Sequence, residues 1–140
     1  MSCIFCDIIA GAAPAALVYE DEATLAGIDL RQSNPGHVLV IPKRHVETLH
    51  HLPHDLHAPL MNAVVIMTRA VQACFHPDGI NIWQSNGPGA NQEVPHVHFH
   101  VFPRWTGDRH FQIYPSEPTD MPLTEREQLA VRLRPFVERR

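Results

Sequence analysis

Apolar and polar positions along this 140-residue chain recur with periods that assign most elements directly. Residues 3–10 form a short mixed segment, one or two helical turns ended by Gly11. Leu17-Val18-Tyr19-Glu20 and Thr24 to Ile28 predict two strands, with Asp21-Glu22 as the turn between them. Asn34-Pro35-Gly36 is a loop, and His37 to Ile41 a strand closed by Pro42. From Asp55 to about Cys74, Leu56, Leu60, Ala63, Val64, Met67, Ala70 and Val71 recur at helical spacing. That predicts one long amphipathic helix lying against a sheet. Ile80 to Gln84 is a strand after the Pro77-Asp78-Gly79 turn, and Asn86 to Asn91 is a polar loop with two glycines. Thr106 to Pro122 reads as irregular, and a final helix starts at Thr124 with Glu127 three residues on, a capping-box pattern. Strands, helix, strands, helix give an α+β fold with a mostly antiparallel sheet. The expected division is a core over 1–105 and a C-terminal extension over 106–140 within the same domain.

One segment departs from ordinary patterning. His96-Val97-His98-Phe99-His100-Val101-Phe102, in a strand predicted from about Val94 to Phe102, alternates imidazole with apolar side chains. In a strand the three histidines share one face, and Val97, Phe99 and Val101 share the other. The apolar face can enter a core, while the histidine face can line a pocket.

Composition narrows the function classes. Hydrophobic residues are 44% and charged residues 19%, and the net charge is −4, without a dense Lys/Arg stripe. A long nucleic acid is therefore disfavoured as a partner, whereas a single nucleotide needs only a few donors. No apolar run approaches the ~20 residues that span a bilayer, and no basic-then-apolar leader is present. Three cysteines, two of them spaced C-x-x-C, do not form a disulfide framework, so a cytoplasmic location is expected.

Histidines at i,i+2 on a strand could ligate a metal, and that alternative stays open from the strand alone. The preceding loop points elsewhere. Asn86 to Asn91, with Gln92 and Glu93, offers backbone N–H groups and amides suited to phosphate and sugar oxygens. Imidazole is nucleophilic near neutral pH, provided its second nitrogen keeps a proton. Flanking histidines can stabilise phosphoryl charge or protonate a leaving group. The middle ring is the best placed to attack.

The run His96 to Phe102 resembles the H-φ-H-φ-H-φ-φ signature of the histidine triad (HIT) family of nucleotide hydrolases and transferases. Cys3-Ile4-Phe5-Cys6-Asp7-Ile8-Ile9, Pro35 to His45, Gln84 to Gly87, Asn91 to Pro95 and Pro103-Arg104 are similar to further family segments, in the same order over residues 3–105. The likeness is to the Hint-like branch and its bacterial relatives. It implies that His98 attacks the α-phosphorus of a purine nucleoside phosphoramidate or dinucleoside polyphosphate, forming a nucleotidyl-histidine that water resolves without a catalytic cofactor or metal. His100 would contact phosphate and leaving group, His96 would orient its neighbours, and His37 would complete the proton network. Asp29 would accept the ribose hydroxyls. Gln92 and the backbone at Asn91 and Glu93 would cradle the phosphate, and Phe5, Ile8 and Leu30 would bracket the base. Family members commonly form homodimers.

Ser85 stands where the resemblance implies a longer amide, so one hydrogen bond to phosphate or sugar is expected to be shortened or replaced by water. Asn91 stands in place of a common glycine, and asparagine tolerates the left-handed backbone such a turn needs. The Cys3/Cys6 pair has no strand before it, which argues against a redox motif. Two unrelated buried thiols or half of a tetrahedral zinc site remain. The resemblance supplies His45 and His96 as the other two ligands of a structural zinc. His50, His51, His54 and His57 read as solvated surface, and Cys74 as a small core residue. Two rival functions are a nucleotide sensor without turnover and a zinc-stabilised interaction module.

Overall fold

The computed structural model describes residues 2–110 and 116–138. It divides into two compact units, 1–108 and 109–140. In the first, five strands form one sheet: β1 (Leu17–Glu20), β2 (Thr24–Ile28), β3 (Val38–Pro42), β4 (Gly79–Gln84) and β5 (Phe99–Arg104). Their spatial order is β1-β2-β3-β5-β4, and every neighbouring pair is antiparallel. Two helices belong to this unit, α1 (Ile4–Ile9) and α2 (His57–Phe75).

Alternation along the strands decides what each face meets. Ala26, Val38, Val40, Val97 and Val101 point to one side and pack on Leu60, Ala63, Val64, Met67 and Val71 of α2. Leu25 and Ile41 point to the other side, where Phe5 of α1 joins them, flanked by Ile8, Ile9 and Leu39. The helical stripe is as expected except at Ala70, which is exposed. With the turn before it, α2 spans 22 residues and contains an 18-residue stretch with a mean hydropathy of 1.3, long and apolar enough to cross a membrane by length and composition. This corrects the expectation that no such stretch exists. Its stripe is nonetheless the hydrophobic core of the unit, so it is a core helix.

Loop chemistry then fixes the site's surroundings. Asp21 Oδ1 accepts the Ala23 and Thr24 amides and closes the β1–β2 turn. The β2–β3 loop folds around Gln32, whose Nε2 donates to the Asp29 and His37 carbonyls while its Oε1 accepts from the Gly36 amide. Gly36 has φ 102, and a Cβ there would meet the Phe75 ring at 2.7 Å. Both the backbone angle and the close ring demand glycine. Asn34, buried, donates to the Pro103 carbonyl and to Asp108, which also pairs with Arg104.

Two expectations are corrected. The paired strand carrying the histidines begins at Phe99, so His96 and His98 lie on the approach to it. Val97 still bonds across, its amide reaching the Val46 carbonyl at 2.7 Å. In the second unit the helix α3 (Leu123–Leu133) starts after Pro122, with no side-chain cap. Proline pre-sets the extended backbone there, so Thr124 falls inside the first turn instead of capping it. Part of the irregular stretch predicted over 106–122 lies outside the described residues.

Candidate active site

The three histidines face the α1 side of the sheet but meet different partners. His96 is fully buried. Its Nε2–H donates to the Pro42 carbonyl at 2.8 Å, which turns Nδ1 towards Cys3, Cys6 and His45. Three sulfur–nitrogen separations in this group are 3.4, 3.4 and 3.7 Å, and the His45 Nδ1–His96 Nδ1 separation is 3.2 Å. A tetrahedron with Zn–S of about 2.3 Å and Zn–N of about 2.05 Å has S–N edges of about 3.6 Å and an N–N edge of about 3.3 Å. The donor set therefore fits a tetrahedral metal, with the Pro42 carbonyl orienting one ligand from behind. Burial and the adjacent Cys3 thiol hold the Cys6 thiol above its ordinary range, and burial lowers His96. Both shifts favour the protonation states that a bound cation would have to change at sulfur and keep at nitrogen.

His98 has the opposite arrangement. Its Nδ1–H donates to the His96 carbonyl at 2.7 Å, within a buried setting. That bond fixes the tautomer and leaves Nε2 as the lone-pair nitrogen. Phe5 of α1 stands edge-on to both His96 and His98, with centroids 5.7 and 5.3 Å away. The base-bracketing role expected of Phe5 thus shares the ring with a packing role against the histidines. Ile8 lies beside it in the same small core, whereas Leu30 is 97% exposed and reaches none of them.

His100 joins a third group. Its Nδ1 lies 2.9 Å from His37 Nε2, and Asp29 Oδ2 stands 3.6 Å from His37 Nε2 and 4.0 Å from His100 Nδ1. Asp29 Oδ1 accepts the Arg31 amide, so one oxygen shapes the loop and the other faces the imidazoles. Burial, with the neighbouring His98, His37 and Arg31 charges, pulls His100 down to about 3 from its ordinary 6.5. Burial also lowers His37, against the pull of Asp29. The triplet is not one metal site: the two donor clusters among the described residues hold His96 and His100 separately, and neither includes His98.

The loop before the histidines is held by its own side chains. Gln92 Oε1 accepts the Gly87 amide and its Nε2 donates to the Glu47 carbonyl, both at 2.6 Å. Asn86 Oδ1 accepts the Leu49 amide. Asn91 adopts φ 59, ψ 35, the left-handed backbone expected of it. Glu93 forms a two-contact ion pair with Arg31, joining this loop to the β2–β3 loop, and Ser85 is half-buried at the end of β4. Sequence reasoning missed Gln32, Asn34 and Trp83. Trp83 stacks on His100, and its signal was parity, since it sits opposite the third histidine once β4 and β5 pair.

Against known proteins, the HIT domain matches residues 10–107. The chain belongs to the HIT family. A HIT family protein from Bacillus subtilis has a crystal structure that superposes with a TM-score of 0.91 at 35% identity, covering 100% of each chain. The adenosine 5'-monophosphoramidase hnt1 of Schizosaccharomyces pombe is 39% identical over 74% of this chain and 75% of its own. A zinc-bound histidine triad protein from Mycobacterium smegmatis has a TM-score of 0.73 at 42% identity, covering 83% of this chain and 85% of that one. In this HIT protein the five-stranded antiparallel sheet, the long helix and the C-terminal helix are those of the HIT fold.

Proposed function

We propose that this HIT protein is a nucleotide hydrolase or transferase that forms a nucleotidyl intermediate on His98. The observation that carries this is the His98 Nδ1–His96 carbonyl bond, which leaves Nε2 as a nucleophile beside the His37–His100 pair. Burial holds both rings of that pair below their ordinary range, so the pair is neutral at pH 7. An incoming phosphate brings negative charge, and with Asp29 it favours one extra proton on the pair. His100 then carries protons on both nitrogens, with Nδ1–H donating to His37 Nε2. As His98 Nε2 bonds to the α-phosphorus, the bond to the leaving group breaks. The His100 Nε2 proton passes to the departing nitrogen or oxygen, leaving His100 neutral. Water next attacks phosphorus, His100 Nε2 takes its proton, and the bond to His98 breaks to release a nucleoside monophosphate. The substrate class is a purine nucleoside phosphoramidate or dinucleoside polyphosphate; the yeast relative's name supports the first. Asp29, Gln92, Ser85 and the backbone at Asn91 and Glu93 are the proposed ribose and phosphate contacts. Phe5, Ile8 and Leu30 are the proposed base contacts.

Cys3, Cys6, His45 and His96 would hold a structural zinc that ties α1 to the end of β3 and the approach to β5. No catalytic step passes through it. The expected assembly is a homodimer, and the three free cysteines suit a reducing cytoplasm. The direct test is His98→Ala. Its turnover of an adenosine phosphoramidate should fall at least about 10³-fold while nucleotide binding persists. Retained turnover would refute the nucleophile, and a wild type that binds nucleotide without turning it over would point to a sensor pocket instead.

A further inference from the structure

Three features hold the His100 ring. Its Nδ1 is tied to His37, its edge meets His98 at 5.0 Å, and one of its faces lies on Trp83. The indole and imidazole are 4.2 Å apart between centroids and within 10° of parallel. This contact follows from the sheet: Trp83 of β4 stands directly opposite His100 of β5. Directly opposed side chains lie on the same face. The indole also meets His37, tilted at 5.3 Å, and Phe102, edge-on at 5.4 Å. Strand β4 is the edge of the sheet, so Trp83 covers His100 on the side where the sheet ends. The His100 side chain is left only 15% exposed.

We propose that Trp83 is the positioning residue for His100, holding its imidazole so that Nε2 faces the leaving group of the substrate. This rests on the reading that His98 attacks and His100 gives the proton. A ring bound only through Nδ1 can still swing about that bond, and a stacked indole removes the motion. The indole face also attracts the imidazolium that the transfer requires, at a distance well inside the ~6 Å reach of such contacts. Other groups facing His100 divide in sign: Asp29 favours the charged ring, while His37, His98 and Arg31 oppose it. A purely structural cross-strand pair would give stability alone. Only the positioning role makes the rate of leaving-group release depend on whether the leaving group needs a proton.

The experiment uses two substrates: an adenosine 5'-phosphoramidate of an alkylamine, which must be protonated to leave, and adenosine 5'-(p-nitrophenyl phosphate), which leaves as the anion. Leaving-group release is followed in a single turnover, before the water step that uses His100 for both substrates. Trp83→Leu should slow that release roughly 10–100-fold on the first, with the half-saturating concentration changed less than about 3-fold. On the second it should stay within about 3-fold of wild type, and Trp83→Phe should restore most of the loss on the first. Equal losses on both substrates, or none on the first, would overturn the positioning role while leaving the His98 reading intact. Wild-type protein that cleaves neither substrate would instead overturn the His98 reading, and this inference with it. If Trp83→Leu does not fold, proton NMR of the wild type decides: the His100 ring protons should be shifted upfield by the indole, and unshifted protons would overturn the stacking.

Discussion

Two imidazoles two residues apart are set up differently here because their Nδ1 atoms meet different partners. His98 gives its Nδ1 proton to a backbone carbonyl and keeps a lone pair on Nε2. His100 meets another imidazole and is buried, which pulls it down to about 3. The folded protein therefore binds fewer protons than the unfolded chain, whose histidines titrate near 6.5. Stability from this burial is fully present above about 6.5 and is lost as pH falls towards about 3. His37 is displaced in the same direction and adds to it. Urea midpoints measured from pH 7.5 to 5 should fall with pH, and His100→Asn should flatten that slope. An unchanged slope in the variant would assign the effect to other groups.

At the scale of elements, the approach to β5 shows how far sequence reaches. Alternation in 96–102 correctly separated Val97, Phe99 and Val101, which enter the core, from the histidine face. It could not show that pairing starts only at Phe99, because ladder register depends on β3 and β4, which lie far away in sequence. Trp83 was missed for the same reason: its contact with His100 exists only after two strands pair. The α3 start was misjudged because Pro122 supplied the extended entry that Thr124 was expected to cap. Residues 94–98, which have no full ladder, are held at His96 by the Pro42 carbonyl and the Cys3, Cys6 and His45 group. Purified protein should carry one zinc per chain. Cys3→Ser with Cys6→Ser should remove it and lower Tm by on the order of 10 °C, the effect of losing about 3 kcal/mol of ligand linkage. Normal Tm in a metal-free double variant would show that packing of Phe5 alone holds α1.

For the molecule as a whole, fold class, strand identities and the long helix were readable because each has a local periodicity backed by burial in the unit 1–108. Position within the site was less readable. Leu30, expected as a base contact, is 97% exposed, and Asp29, expected as a ribose ligand, also faces His37 and His100. The sheet makes one side a core under α2 and leaves the other for α1, the cysteine–histidine group and the histidine face. On the proposed reading, nucleophile, proton donor and metal ligand lie within residues 96–100 because successive histidines are turned to separate neighbours. The most direct check on this division is intact-mass analysis of the wild-type protein quenched during turnover of a slow adenosine phosphoramidate with EDTA present, followed by peptide mapping. A gain of one adenylyl group on His98, absent in His98→Ala, is the predicted result. Steady turnover with no adduct, or an adduct on another residue, would contradict it.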